Sequence, residues 1–275
     1  MAVFIASLNS GSNGNCYYVG NETDAVLIDA GISCREIEIR MKKCGLNIQL
    51  LRAIFVSHEH GDHIKGISVI ANRYKIPVYI TPATAKHGPK LIKHISKPFF
   101  SHQPIQISSL SIIPFSKEHD AADPHSFIVS SSGINIAVIT DIGIVCNHVI
   151  HYFKQCHAAF LESNYDEILL ETGRYSALLK NRIRGGKGHI SNKQALKLLD
   201  EHSAPHLTHL LLSHLSAENN SPALALQTFS NHLNNINISV ASRYQASEVF
   251  KIEPTVTFNV KTVPSNPSST QLGLF

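Results

Sequence analysis

The sequence predicts an α/β protein, because short apolar runs typical of strands alternate with stretches of helical periodicity. The chain has 275 residues, of which 43% are hydrophobic and 16% are charged, so it is long and apolar enough to bury a sizeable core. The runs typical of strands are residues 25–28, 53–56, 112–115, 136–139 and 210–212.

Capping signals mark the starts of three predicted helices. Ser33 and Glu36 have the spacing of a capping box, in which a serine side chain and the residue three positions later satisfy each other's backbone N–H groups. Ser191 and Gln194 repeat that spacing. Ser221 is followed by a proline, which is favoured at the first helical position.

Composition and charge restrict the class of protein. The net charge of +4 suits an anionic substrate, although this is a weak indication. The amino terminus has no basic segment of the kind found in signal peptides, and no apolar run approaches the roughly 18 residues of a membrane span. The five cysteines form no CxxC pair and are odd in number, which disfavours a disulfide framework. We therefore expect a soluble, cytoplasmic protein with no membrane partner.

A dense group of metal-ligand residue types follows the second strand run. His58, His60, Asp62 and His63 lie within six positions. Imidazole and carboxylate ligands suit zinc, manganese or iron better than calcium. The alternative is a polar loop with chance histidines in a chain that has 17 of them. We expect a metal site.

This segment resembles a known superfamily. The run His58-Glu-His60-Gly-Asp62-His63 has the HxHxDH form of the metallo-β-lactamase-fold hydrolases. Asp29, at the end of a strand run, resembles the first motif of that superfamily. Asp141 resembles its metal-bridging aspartate, and His214 resembles its last histidine ligand.

Three further segments, 7–16, 162–164 and 187–192, are similar to the bacterial YycJ/WalJ branch, so the resemblance covers about residues 7–214. It implies a four-layer αββα sandwich, which we expect to form a single domain over residues 1–262. Between Asp141 and His214 we expect only two or three helices. The implied function is a phosphodiesterase that acts on nucleic acid, specifically a DNA exonuclease in replication or repair. The alternatives are a hydrolase of a small ester or cyclic phosphodiester, and a non-catalytic clamp-binding adaptor.

The resemblance also implies a ligand set for two divalent ions, zinc or manganese. One ion would be held by His58, His60 and His119, the other by Asp62, His63 and His214, with Asp141 bridging both. His119 is the expected third-motif ligand because it directly precedes an Asp-Ala pair. His125 is its competitor.

The expected catalytic residues are Asp62, His189 and Glu162. Two ions can hold a hydroxide nucleophile between them. His189 is the expected proton donor to the leaving oxygen, and Glu162 would orient it, as in a similar pair of the tRNase Z relatives. The alternative for His189 is a surface histidine before a helix.

The expected substrate-binding residues are polar or basic. Arg182, Arg184 and Lys187 could bind phosphates that flank the scissile one, or could simply form a solvated helix face. The Gly/Ser/Asn loop that ends at Asn15 could present N–H groups to a phosphate, or could be a tight turn between strands. Asn164 belongs to a segment that matches the YycJ/WalJ branch.

The last segment, 263–275, is expected to be a flexible tail because it is rich in proline and serine. It ends with Gln271, Leu272, Leu274 and Phe275, which resemble the QLxLF peptide that binds the bacterial replicative sliding clamp. Such a partner would favour DNA over RNA as the substrate. The alternatives are a chance match and an apolar end that folds back onto the domain.

Overall fold

The computed structural model describes residues 1–89 and 95–254, and the strands in these ranges form two seven-stranded sheets. In the first sheet the strand order is β14-β1-β2-β3-β4-β5-β6. Its strands are β1 (Val3–Asn9), β2 (Cys16–Gly20), β3 (Ala25–Ile28), β4 (Leu51–Phe55), β5 (Val78–Ile80), β6 (Ser96–Pro98) and β14 (Phe250–Ile252). Pairing is antiparallel from β14 to β3 and parallel from β3 to β6.

The second sheet follows chain order from β7 to β13. Its strands are β7 (Ile105–Ile107), β8 (Leu110–Ser116), β9 (His125–Ser131), β10 (Ile134–Ile139), β11 (Ala158–Glu162), β12 (His209–Ser213) and β13 (Asn237–Val240). Pairing is antiparallel from β7 to β10 and parallel from β10 to β13. Both sheets are therefore mixed.

The described residues form nine α-helices, several of which pack on the outer faces of the sheets. They are α1 (Cys34–Lys43), α2 (Gly61–Ile64), α3 (Ile67–Tyr74), α4 (Pro82–His87), α5 (Asn147–Phe153), α6 (Glu167–Thr172), α7 (Ala177–Arg184), α8 (Asn192–His202) and α9 (Pro222–Thr228), with short 3-10 turns at Ile48–Leu50 and Ser230–His232. One core cluster packs α1 and α3 on the first sheet, and another packs α5, α8 and α9 on the second. None of these helices is long and apolar enough to cross a membrane.

A third core cluster lies between the two sheets. Aromatic rings from opposite sheets meet there: the ring centroids of Tyr17 and Phe160 are 4.9 Å apart, and those of Phe55 and Phe127 are 5.7 Å apart. Such pairs add to the free energy gained by burying their area. The layer order is αββα, so the predicted fold is confirmed. The predicted domain end at residue 262 and the tail 263–275 lie outside the described residues.

The structure forms some of the helix caps that the sequence predicted. Ser191 and Gln194 form a complete capping box at the start of α8, and Ser221 caps α9. Ser33 accepts a hydrogen bond from the Glu36 N–H. The Glu36 carboxylate does not complete the box, because it pairs with Arg40, whose Nε lies 3.3 Å away.

The prediction of two or three helices between Asp141 and His214 is wrong, since α5, α6, α7 and α8 all lie there. No start signal was recognised for α6, and a helix at Arg182 and Arg184 was indicated only as an alternative, because both helices are short and largely exposed. α7 has no buried residue, so it lacks the apolar stripe by which a helix is recognised.

The ends of parallel strands meet at one edge of the sandwich and place the site there. Asp29 follows β3, Asp141 follows β10 and His214 follows β12. All three have left-handed backbone conformations, with φ values of 60°, 54° and 57°. Left-handed backbone costs an L-residue about 1 kcal/mol or more, and strain of this kind tends to cluster at functional sites.

The loop after β3 packs against the segment that carries Asp62, and this contact requires a glycine. A Cβ atom at Gly31 would lie 1.6 Å from the Asp62 carbonyl oxygen. We expect Gly31→Ala to lower the free energy of unfolding by roughly 2 kcal/mol, as overpacking does, and to reduce bound metal. Thermal unfolding and metal analysis check this.

The matched control is Gly61→Ala, because a Cβ at Gly61 meets nothing within 4 Å although it is adjacent to Asp62. Equal stability and metal content in the two variants would show that the close approach at Gly31 is not needed.

Candidate metal centre

The first group of ligand-type side chains consists of three imidazoles. His58 Nε2 lies 3.0 Å from His60 Nδ1, and the ring of His119 is centred 4.8 Å from that of His58 and 5.2 Å from that of His60. One ligand atom of each residue lies within 4.8 Å of the others. A tetrahedral ion about 2.0–2.1 Å from each nitrogen needs ligand atoms roughly 3.3 Å apart, so the three could hold one ion with little movement.

The second group adjoins the first. His63 Nε2 lies 3.5 Å from Asp62 Oδ2, and His214 Nε2 lies 3.7 Å from the same oxygen. These spacings also suit ligands of a common ion.

Asp141 lies between the two groups. Its Oδ2 is 3.3 Å from His63 Nε2, and its Oδ1 is 3.4 Å from His214 Nε2 and 3.9 Å from His119 Nε2. The carboxylate therefore faces ligand atoms of both groups, as a bridging ligand would.

Several buried polar atoms of these groups have no hydrogen-bond partner. They include His119 Nε2, His214 Nε2 and Asp141 Oδ2. A buried polar atom without a partner is costly, and such atoms are rare in folded proteins. A cation among them would satisfy all three. The donor set fits divalent metal ions, as the sequence predicted.

Burial and charge set the protonation of the imidazoles. Burial lowers the pKa of His119 to about 4 and that of His58 well below its ordinary value, which favours the neutral form that binds metal. Burial also disfavours the charged form of His214, but Asp141, Asp62 and Glu162 together raise its pKa to about 10. The same carboxylates would stabilise a bound cation.

The third-motif ligand is better matched by His119 than by its competitor. His125, the first residue of β9, has its Nδ1 3.0 Å from the Asp123 carbonyl oxygen, and its ring meets the ring of Phe99 edge-on with centroids 5.2 Å apart. His125 belongs to none of the groups that could hold an ion among the described residues.

A buried hydrogen-bond network orients His58 and His63 through their Nδ1 atoms. Asp29 Oδ2 lies 2.7 Å from His63 Nδ1 and accepts a 2.7 Å hydrogen bond from the Ser57 hydroxyl. The Ser57 hydroxyl oxygen is also 2.8 Å from His58 Nδ1. Groups of this kind fix the ring orientation of metal-binding histidines. Ser57 was missed in the sequence, where its only signal is its place directly before His58.

Asn15, an expected substrate-binding residue, does not line the cleft, although Ser12 of the same loop does. The Asn15 side chain is fully buried. Its Oδ1 accepts hydrogen bonds from the Gly11 N–H at 2.9 Å and the Tyr17 hydroxyl at 3.1 Å, and its Nδ2 donates to Asp62 Oδ2 at 3.2 Å. Asn15 therefore orients the Asp62 carboxylate from within the turn between β1 and β2.

Glu162 connects His189 to the metal ligands. Its Oε1 lies 2.7 Å from His189 Nδ1 and 3.2 Å from His214 Nδ1, while its Oε2 accepts a 2.8 Å hydrogen bond from the Ile142 N–H. Burial opposes ionisation of Glu162, but the two histidines hold its pKa below the ordinary value. The structure thus brings together the pair that the sequence predicted.

A cleft of about 270 Å³ opens over both metal groups. Asn164 and Arg182 line it, together with His189. Asn164 Nδ2 donates a 2.7 Å hydrogen bond to the His214 carbonyl oxygen, so its amide also fixes a ligand segment. His189 is 22% exposed at its side chain and can meet a molecule in the cleft.

Of the basic residues Arg182, Arg184 and Lys187, Arg182 alone lines the cleft. The Arg182 guanidinium pairs with Asp120, with Nε 2.6 Å and Nη2 2.5 Å from Oδ2. Arg184 forms an ion pair with Glu171, and neither Arg184 nor Lys187 lines the cleft. Of the three residues expected to bind flanking phosphates, the fold thus brings Arg182 to the cleft, and phosphate binding by Arg184 and Lys187 stays a prediction.

This chain is similar to known proteins in both sequence and fold. A family model of the metallo-beta-lactamase superfamily matches residues 10–131. The chain is 33% identical to exodeoxyribonuclease YycJ of Bacillus anthracis, covering 93% of this chain and 98% of that protein. It is 29% identical to exodeoxyribonuclease WalJ of Streptococcus pneumoniae, covering 85% and 89%. The crystal structure of the metallo-beta-lactamase fold protein YhfI from Bacillus subtilis matches with a TM-score of 0.67 at 14% identity, covering 91% of this chain and 100% of that one.

The fold and the grouped histidines and aspartates are those of a metal-dependent hydrolase. Since it matches YycJ over almost its whole length, the chain belongs to the YycJ/WalJ family within the metallo-beta-lactamase superfamily. The resemblance seen in the sequence is confirmed.

The two candidate third-motif histidines can be separated by a matched pair of variants. We expect His119→Gln to lower bound metal, because it removes one imidazole from a group of three. His125→Gln should keep the metal content of the unaltered protein. Elemental analysis after dialysis measures both. Metal loss in His125→Gln alone would reverse the assignment.

Proposed function

We propose that this protein is a dinuclear-metal exodeoxyribonuclease. The observation that carries the proposal is the His189–Glu162 pair directly beside two grouped ligand sets, because this arrangement offers both ion sites and a proton donor. The relatives named exodeoxyribonuclease support DNA as the substrate, and the match to them extends over most of the chain.

The proposed ligands form two sets joined by one carboxylate. His58, His60 and His119 would hold one ion, Asp62, His63 and His214 the other, and Asp141 would bridge them. When bound, two zinc or manganese ions lower the pKa of water and neutralise charge on a phosphoryl group. Asp62 contributes to catalysis as a ligand whose carboxylate borders the cleft.

His189 would act on the leaving group. Its Nδ1 is engaged by Glu162, so Nε2 is the nitrogen available to give a proton to the leaving oxygen. The buried Glu162 carboxylate, 2.7 Å from Nδ1, fixes the orientation of the ring. Phosphodiester cleavage needs such a donor because an alkoxide is a poor leaving group.

The proposed activity can be tested with 5′- and 3′-labelled single- and double-stranded DNA and RNA, in the presence of manganese or zinc. We expect stepwise degradation of DNA. Replacement of His189 by Ala should slow it by roughly 10² to 10⁴, because proton donation to the leaving group is lost.

Metal content provides the control, since it should stay unchanged in His189→Ala. Loss of metal from this variant would make His189 a ligand rather than a proton donor. Hydrolysis of small esters or cyclic phosphodiesters without any cleavage of DNA or RNA would refute the nuclease assignment.

The last residues carry a separate part of the proposal, a role in replication or repair through the sliding clamp. Gln271, Leu272, Leu274 and Phe275 lie outside the described residues, so the sequence match is the support for this partner. Short peptides usually bind weakly, and the tail would act by raising the local concentration of the nuclease on clamp-loaded DNA.

Truncation after Thr270 tests the clamp partner. Clamp binding should be lost, because the whole peptide is removed, whereas cleavage of naked DNA should be unchanged. Surface plasmon resonance with the clamp of the same organism measures the binding. Equal binding by both chains, or by neither, excludes the docking peptide.

A further inference from the structure

A second depression, of about 220 Å³, adjoins the metal cleft. The two share the lining residues Leu215, Ser216 and Ala217, which directly follow the ligand His214. A polymeric ligand that extends from the metal centre past this loop therefore enters the second depression.

The lining of this depression combines apolar and polar residues and contains no acidic one. Four serines and one asparagine contribute polar groups, Arg243 supplies a cation, and no carboxylate is among the lining residues. Its volume is below the roughly 300 Å³ at which pockets for drug-sized ligands begin. The size suits one unit of a polymer better than a separate small molecule.

Arg243 has guanidinium donors to spare. Its Nη2 donates a 2.7 Å hydrogen bond to the Leu215 carbonyl oxygen, and its own carbonyl oxygen accepts one from Asn13 Nδ2 at 2.7 Å. A guanidinium has five N–H donors, so most remain for a phosphate. Within the described residues no carboxylate forms an ion pair with Arg243, in contrast to Arg182, which is paired with Asp120.

Tyr244 offers an aromatic ring at the rim. It is 80% exposed, although its backbone is anchored: its N–H donates to the Ser242 hydroxyl at 3.1 Å, and its carbonyl oxygen accepts from Arg40 Nη2 at 3.1 Å. An exposed ring on an anchored backbone, next to a cation, is the combination that single-strand binding sites use, since any base can stack on an aromatic face.

We propose that this depression is a nucleotide subsite, in which Tyr244 stacks on a base and Arg243 binds a phosphate of a single strand that runs on from the metal cleft. This inference rests on the proposed function for the choice of nucleic acid as ligand. The inference adds a place for the strand beyond the metal cleft: the depression lined by the loop between β13 and β14, to which α7 does not contribute.

The test is binding of a fluorescent, cleavage-resistant phosphorothioate oligodeoxythymidylate to the full chain, followed by fluorescence anisotropy. Loss of one stacking partner is worth about 1–3 kcal/mol, so Tyr244→Ala should bind roughly 5- to 150-fold more weakly. Tyr244→Phe should bind like the unaltered chain because it keeps the ring. Arg243→Gln should weaken binding and flatten its salt dependence.

Phe100→Ala is the matched control, because Phe100 is also an exposed aromatic residue, at 53%, but lines neither depression. It should bind and cleave as the unaltered protein does. Unchanged binding by Tyr244→Ala, equal weakening by Phe100→Ala, or no binding by the unaltered chain would each overturn the subsite.

Cleavage of unmodified DNA, measured in parallel, separates this proposal from the nuclease assignment. Binding that depends on Tyr244 without any cleavage would support the subsite while the nuclease assignment fails.

Discussion

The buried carboxylate of Asp141 is the group around which the site is arranged. Burial alone would raise its pKa, but His214 and His63, 3.4 and 3.3 Å away, hold that pKa well below the ordinary value. A buried charge without partners would be strongly destabilising, so the position of Asp141 demands cationic or hydrogen-bonding neighbours. The buried Lys117, which donates a 2.6 Å hydrogen bond to the Thr140 carbonyl oxygen, adds positive charge nearby. The fold places such neighbours around Asp141 because several parallel strands end at the same edge of the sandwich.

Glu162 extends this arrangement from the metal groups to the reacting substrate. One of its oxygens contacts both His214 and His189, so a proposed metal ligand and the proposed proton donor share a carboxylate. The other oxygen is held by the Ile142 N–H, one residue after Asp141. The orientation of His189 is therefore coupled to the segment that carries the bridging carboxylate. In such a network, effects of substitutions at these residues should not be additive.

The sequence predicted the site residues that are neighbours in the chain better than those that only the fold brings together. The HxHxDH run could be recognised because its four ligand-type residues are close in the chain, and the strand patterns gave the fold class. The burial of the Asn15 side chain was not predicted, because a loop of small polar residues does not reveal which of its side chains turn inward. Arg182 and Arg184 looked like free cations, since their partners Asp120 and Glu171 are 62 and 13 residues away in the chain. Tyr244 gave no signal at all, because only the tertiary fold brings its loop beside the loop that ends at Asn15.

The two sides of the metal centre differ in how they present positive charge. On the α7 side, Arg182 is tied to Asp120, whose Oδ1 lies 3.5 Å from His119 Nε2. A phosphate that binds Arg182 must therefore compete with a carboxylate that also faces a metal ligand. At the second depression, the Arg243 guanidinium is held by a neutral carbonyl oxygen, which competes far less with a phosphate. Electrostatics thus favours a phosphate at Arg243 over one at Arg182, so in the proposed nuclease the polymer would be held at Arg243 while a short product leaves past Arg182.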